Sequence, residues 1–147
     1  MPYRNSREMR RRILLVDDDR DLANVIQIKL SEFDFEIITA ADGTEGFWLA
    51  QCEQPDLVIT DLRMPNGSGD YMVECLKGRS DTCDIPVIVI TGRQNGKLRR
   101  WMRAMGVRHY LRKPVRTADL LRAVACYLPV EPREPAAAVG AAPYVSN

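Results

Sequence analysis

Five side chains in this sequence have the types needed to move a phosphoryl group onto a carboxylate: Asp17, Asp18, Asp61, Thr91 and Lys113. Each stands where a short extended run ends. Asp17 and Asp18 follow Ile13-Leu14-Leu15-Val16, Asp61 follows Leu57-Val58-Ile59-Thr60, and Thr91 follows Val87-Ile88-Val89-Ile90. Lys113 closes a shorter run over about 108–112. Short apolar runs bounded by turn signals fit strands buried on both faces. If those strands are parallel, their carboxyl ends share one edge, where open α/β sheets place their chemistry. Three carboxylates crowded there repel one another and have raised pKa values unless a cation lies among them. A hard divalent cation with oxygen ligands, Mg²⁺ first of all, is the usual solution. Lysine adds a point charge suited to a phosphate oxygen, and the threonine hydroxyl can donate to another. Asp61 is then an oxygen nucleophile whose developing charge the metal and the lysine offset.

Each residue also has a plainer use. Asp17 to Asp19 suit a helix cap and its neighbours, Thr91 suits a turn, and Lys113 suits a solvated position before Pro114. Taken singly, each plainer use is the better reading. Their coincidence at four strand ends argues for the chemistry.

The elements that must position these residues follow from periodicity. Leu22, Val25, Ile26 and Leu30 recur at helical spacing after the first strand, with Asp19 or Asp21 able to cap that helix. Glu36 to Thr39 reads as the second strand, followed by a helix carrying Phe47, Leu49 and Ala50 that stops before Pro55. A third helix runs from Gly69 to about Lys77, with Tyr71, Met72, Cys75 and Leu76 on its apolar side. Leu98, Trp101, Met102 and Met105 mark a fourth, with Trp101 assigned to the core and Gly106 as terminator. Leu120, Leu121, Val124 and Leu128 mark a fifth, ending at Pro129. Five strands alternating with five helices predict a doubly wound parallel sheet with helices on both faces.

The 147 residues are 46% apolar and 28% charged, as expected of one soluble domain. Residues 1–12 are expected to be a basic arm, 13–129 the folded domain, and 130–147 an Ala/Pro-rich tail. Net charge is +1, which gives no overall pull towards nucleic acid or membrane. The charge is uneven, however: residues 93–113 hold Arg93, Lys97, Arg99, Arg100, Arg103, Arg108, Arg112 and Lys113, and no acid. Cys52, Cys75, Cys83 and Cys126 form no CxxC pair, and with His109 the only histidine the usual zinc patterns are absent. Reduced thiols and a cytoplasmic location are expected. Cys52, Cys75 and Cys126 are read as small hydrophobes on helices, and His109 as a surface residue.

Ile13 to Asp19, Asp56 to Pro65, Pro86 to Thr91 and Tyr110 to Pro114 strongly resemble the motifs of the receiver domain of two-component response regulators. The resemblance spans about residues 12 to 128 with the family's spacing kept. It implies a flavodoxin-like five-stranded sheet in order 2-1-3-4-5. It also implies that Asp61 accepts a phosphoryl group from a sensor histidine kinase or phosphotransfer protein. Asp17, Asp18, Asp61 and the backbone carbonyl of Arg63 would hold Mg²⁺, and Lys113 would pair with the phosphoryl group through a cis bond to Pro114. Thr91 and Tyr110 match the family's switch pair, which reshapes the face made by the fourth helix, fifth strand and fifth helix. The basic stripe lies on or near that face, which suits an acidic output partner better than DNA, since no recognition helix accompanies it. A phosphorylation-dependent dimer is also open to such a chain.

Two departures stand beside the site. Arg63 and Arg93 are long cations two residues after Asp61 and Thr91, and are read as altering the acyl phosphate's lifetime by shielding or misdirecting water. An aspartyl-nucleophile phosphatase would want a second acid two residues after the first; Arg63 cannot protonate a leaving group, so a switch rather than an enzyme is expected. A flavin or nucleotide domain would need a Gly/Ser/Thr-rich loop after the first strand, where three aspartates stand instead. A receiver belonging to a larger hybrid kinase or effector-bearing regulator is the remaining alternative.

Overall fold

The apolar runs and amphipathic stretches become five strands and five helices in a computed structural model, which describes residues 10–64, 68–92 and 95–134. In chain order they are β1 (Arg11–Val16), α1 (Arg20–Ser31), β2 (Phe35–Ala40), α2 (Gly43–Glu53), β3 (Leu57–Thr60), α3 (Gly69–Lys77), β4 (Val87–Thr91), α4 (Gly96–Ala104), β5 (His109–Arg112) and α5 (Thr117–Ala125). The strands form one sheet in the order β2-β1-β3-β4-β5, and every neighbouring pair is parallel.

Alternation along the strands divides the core in two. Leu14, Val16, Val58, Val87 and Val89 face a layer that includes Ala50 of α2, Met72 and Leu76 of α3, and Met102 of α4. Ile13, Leu15, Leu57, Ile59, Ile88 and Ile90 face the other way, against Ile26 and Leu30 of α1 and Leu120 and Val124 of α5. Successive side chains point to opposite sides of a strand, so strands covered on both faces must be apolar throughout. β3 and β4 are buried at every position. Side-chain oxygens cap three of the helices: Asp19 accepts from the Asp21 and Leu22 N–H groups, Asp42 from Glu45, and Asn95 from Lys97 and Leu98. Asp21 is not the cap of α1 but lies in its acidic first turn.

The structure differs from the sequence reading at several places. β1 begins two residues before its apolar run, because Arg12 is tied down: its N–H donates to Asp56 Oδ2 at 2.8 Å and its guanidinium pairs with Glu36 and Glu53. The start of the expected tail also folds back. Pro132 bridges Phe33 antiparallel, Asp34 N–H donates to the Glu131 carbonyl, and Arg133 N–H donates to the Glu32 carbonyl. The Arg133 guanidinium adds a bond to the Phe35 carbonyl at 3.0 Å.

Val25, Tyr71 and Trp101, assigned to apolar stripes, are 45%, 64% and 37% exposed. Their helices each cover the sheet with a narrower face than the spacing suggested. His109 is half-buried rather than freely exposed; its Nδ1 lies 2.6 Å from the Tyr127 hydroxyl, with the rings edge to face. Cys52 and Cys126 are exposed and Cys75 is partly covered, so only Cys75 fits the role of small hydrophobe.

Two glycines are required by the backbone. Gly106 has φ +94°, the left-handed region that lets the chain turn out of α4. Gly69 starts α3 directly against the loop after β3, where an added Cβ would overlap the Asp61 carbonyl oxygen. Backbone cannot yield there as a side chain could. Gly69→Ala should therefore cost about 3 kcal/mol, the upper range for overpacking, against about 1 kcal/mol for Gly106→Ala. Urea midpoints rank the two; a wild-type midpoint for Gly69→Ala would refute the clash.

Candidate functional site

Because the sheet is parallel, the carboxyl ends of β1, β3, β4 and β5 share one edge, and Asp17, Asp61, Thr91 and Lys113 meet there. The ladder fixes the backbones. Asp61 N–H donates to the Val16 carbonyl at 3.0 Å, Asp17 N–H to the Ala40 carbonyl at 3.1 Å, and Lys113 N–H to the Thr91 carbonyl at 2.9 Å. Thr60 Oγ1 donates to the Asp61 carbonyl at 2.7 Å. The Lys113–Pro114 peptide is cis.

The side chains converge. Lys113 Nζ donates to Asp61 Oδ2 at 2.9 Å and to Asp17 Oδ2 at 3.0 Å. The other oxygens are held by backbone: Asp61 Oδ1 accepts from Leu62 N–H at 2.7 Å, and Asp17 Oδ1 from Asp19 N–H at 2.9 Å. One carboxylate oxygen each from Asp17, Asp18 and Asp61 lies within 4.8 Å of the other two; Asp17 and Asp61 are buried and Asp18 is exposed.

Burial sets the electrostatics. It pushes the Asp17 pKa above the usual carboxylate range, while the Asp19 N–H and Lys113 pull it down and the charge of Asp61 adds to the push. Burial also disfavours the Lys113 ammonium, yet its bonds to Asp61 and Asp17 outweigh that and raise its pKa. One ammonium among three carboxylates leaves a negative pocket whose donors are all oxygen. Such a donor set and charge fit a small hard divalent cation.

Beside this pocket, Thr91, Tyr110, Arg63 and Leu62 line a cavity of about 390 Å³. Thr91 is buried and Tyr110 partly buried. The Tyr110 hydroxyl is buried with no hydrogen-bond partner among the described residues, and the Arg99 guanidinium lies over its ring at 5.8 Å. Burial raises the Tyr110 pKa, which Arg99 lowers and Asp61 raises further.

Thus Asp17, Asp18, Asp61 and Lys113 form one cluster, and Thr91 and Tyr110 share the adjoining cavity. Arg63 is exposed at the rim, its N–H 3.4 Å from Asp61 Oδ1, and Arg93 lies outside the described residues. The sequence reading missed the Leu62 and Asp19 N–H donors, because a backbone group carries no residue type. It placed Gly69 at the start of the third helix, as the structure does, but missed its close approach to the Asp61 carbonyl.

Comparison with known proteins agrees with this geometry. Residues 13–125 match the response regulator receiver domain family. The chain is 33% identical to Protein PilH of Pseudomonas aeruginosa over 113 residues, covering 77% of this chain and 93% of PilH. It is 35% identical over 112 residues to Hybrid signal transduction histidine kinase D of Dictyostelium discoideum, covering 76% of this chain but only 7% of the kinase. Among solved structures, the Vibrio cholerae chemotaxis protein CheY4 superposes with a TM-score of 0.75 at 27% identity, covering 81% of this chain and 99% of that one. Strand order, family match and structural neighbours agree, and the chain belongs to the response regulator receiver domain family.

Proposed function

We propose that the chain is a phosphorylation switch in which Asp61 takes a phosphoryl group from a histidine kinase or phosphotransfer protein. The observation that carries this is the tether of Asp61 Oδ2 to Lys113 at 2.9 Å inside a cluster of three carboxylates. Asp61 attacks phosphorus, the new O–P bond forms as the donor's P–N bond breaks, and the imidazole leaves neutral with a proton on its other nitrogen. Lys113 turns from the carboxylate to the arriving phosphoryl oxygens, where its charge offsets the negative charge that develops there. The Leu62 N–H holds the other Asp61 oxygen and so aims the carboxylate. Asp17, Asp18, Asp61 and the Arg63 carbonyl would hold Mg²⁺, which when bound supplies positive charge to the phosphoryl oxygens.

Thr91 and Tyr110 then report the modification. The Thr91 hydroxyl donates to the phosphoryl group, and Tyr110 fills the cavity beside it, which shifts the population of the α4–β5–α5 face. Arg63 at the rim shields the acyl phosphate from water, so Arg63→Ala should hydrolyse faster in a dephosphorylation time course; an unchanged rate removes that role. With no second acid at position 63, the chain acts as a switch, at most hydrolysing its own acyl phosphate slowly. The short coverage of the kinase relative keeps one alternative in view, a receiver serving as a module of a larger kinase or effector-bearing regulator.

Acetyl phosphate with Mg²⁺ should give the wild type an acid-stable, base-labile adduct that Asp61→Asn lacks, read by intact mass. A wild type that labels under no donor would sink the proposal. A protein donor also needs a landing surface. α1, which leaves the acidic pocket, exposes Val25 and 68% of Ile28. Ile28→Glu should slow transfer from a phosphohistidine protein by about tenfold, the effect of losing one apolar anchor, while labelling by acetyl phosphate is unchanged. Equal slowing with both donors would place the defect in the chemistry instead.

A further inference from the structure

The charge of this molecule is sorted across the sheet. Residues 17–56, from the end of β1 through α1, β2 and α2, hold eleven acids against Arg20 and Lys29. Residues 85–118, through β4, α4 and β5, hold nine Lys or Arg and no acid. β2 and β5 are the two outer strands, so the two halves lie at opposite edges. On the basic side, Lys97, Arg99, Arg100, Arg103, Arg108 and Arg112 are exposed, and none makes an ion pair among the described residues.

A symmetric dimer pairs a patch with itself. Through the outward side of α4 and β5 it would bring cation against cation; of the flanking acids, Asp119 already lies beside Arg122 at 3.7 Å, and Asp70 and Glu74 stand across the groove on α3. The last described residues do not reach it, since Pro132 and Arg133 are fastened at the β2 edge. Among the described residues the face is uncovered.

Its shape says which kind. Between α3 and α4 runs a groove of about 690 Å³ whose lining is chiefly apolar, with Leu62, Leu98 and Trp101 in it. Lys97 and Trp101, one helical turn apart, border it from α4, and Asp70 and Glu74 border it from α3. A nucleic acid carries a phosphate at every step and cannot avoid those two carboxylates. A polypeptide can set an uncharged side chain there and its acids over α4. We infer that the α4 face docks an acidic protein segment bearing an apolar anchor, the acids on Arg100 and Arg103 and the anchor beside Trp101 in the α3–α4 groove. This deepens the proposed output role and rests on that reading for its coupling to Asp61, though not for the docking itself.

The test uses the full chain and two synthetic peptides, one of glutamate and aspartate around a central pair of leucines, the other with serines in place of the leucines. The leucine peptide should bind at low salt, weaken by about tenfold or more towards physiological salt as exposed charges are screened, and exceed the serine peptide by about tenfold. Arg100→Glu with Arg103→Glu should abolish binding, and Trp101→Ala should reduce it to the level of the serine peptide with the salt dependence kept. Equal binding of both peptides, no effect of the charge reversal, tighter binding of duplex DNA or anionic vesicles, or salt-sensitive self-association in sedimentation would each overturn the inference. Acetyl phosphate labelling of the same samples separates the two readings. Labelling at Asp61 without peptide binding removes only this inference, and binding without labelling removes only the phosphoacceptor role.

Discussion

Like charges held close together are the constraint on which this molecule is built. Asp17 and Asp61 are seated by backbone bonds to Ala40 and Val16, and one carboxylate oxygen of each lies within 4.8 Å of the other and of exposed Asp18. Two buried carboxylates so placed repel one another unless a cation offsets them. Lys113 does part of this, reaching across 96 residues of sequence to Asp17. What it leaves uncompensated is an attraction for further positive charge and for any group that arrives with it. The fold thus holds an electrostatic demand in place before a ligand comes.

The same ladder couples that demand to the outside. Lys113 is positioned through the Thr91 carbonyl, and Thr91 shares its cavity with Tyr110, whose ring lies under Arg99 of α4. A run of neighbours therefore connects the carboxylate cluster to the basic helix. Among the described residues the Tyr110 hydroxyl has no hydrogen-bond partner in its buried position, so packing and the Arg99 guanidinium over its ring hold it there.

The sheet order and the cluster were legible because both follow from strands, and β3 and β4 are apolar at every position. Where a helix meets the sheet was less legible. Val25, Tyr71 and Trp101 share helical spacing with true core residues, and spacing alone does not say how wide the covered stripe is. The last described segment was illegible for another reason. Glu131 to Arg133 bury almost nothing and hold through backbone bonds to Glu32 and Asp34, which composition does not encode. The half-burial of His109 was hidden likewise: its partner Tyr127 lies 18 residues away, just past α5.

That last segment bears on how the sheet is finished. An open sheet has two outer strands whose unpaired backbone groups invite other chains to add on. At β2 the returning chain covers the entry to the strand, where Pro132 has no N–H to offer and Arg133 occupies the Phe35 carbonyl. β5 is only four residues long and is flanked by the exposed cations Arg108 and Arg112. One rim is closed by chain and the other by charge. Neither rim offers a long bare edge for a strand of another molecule to pair with.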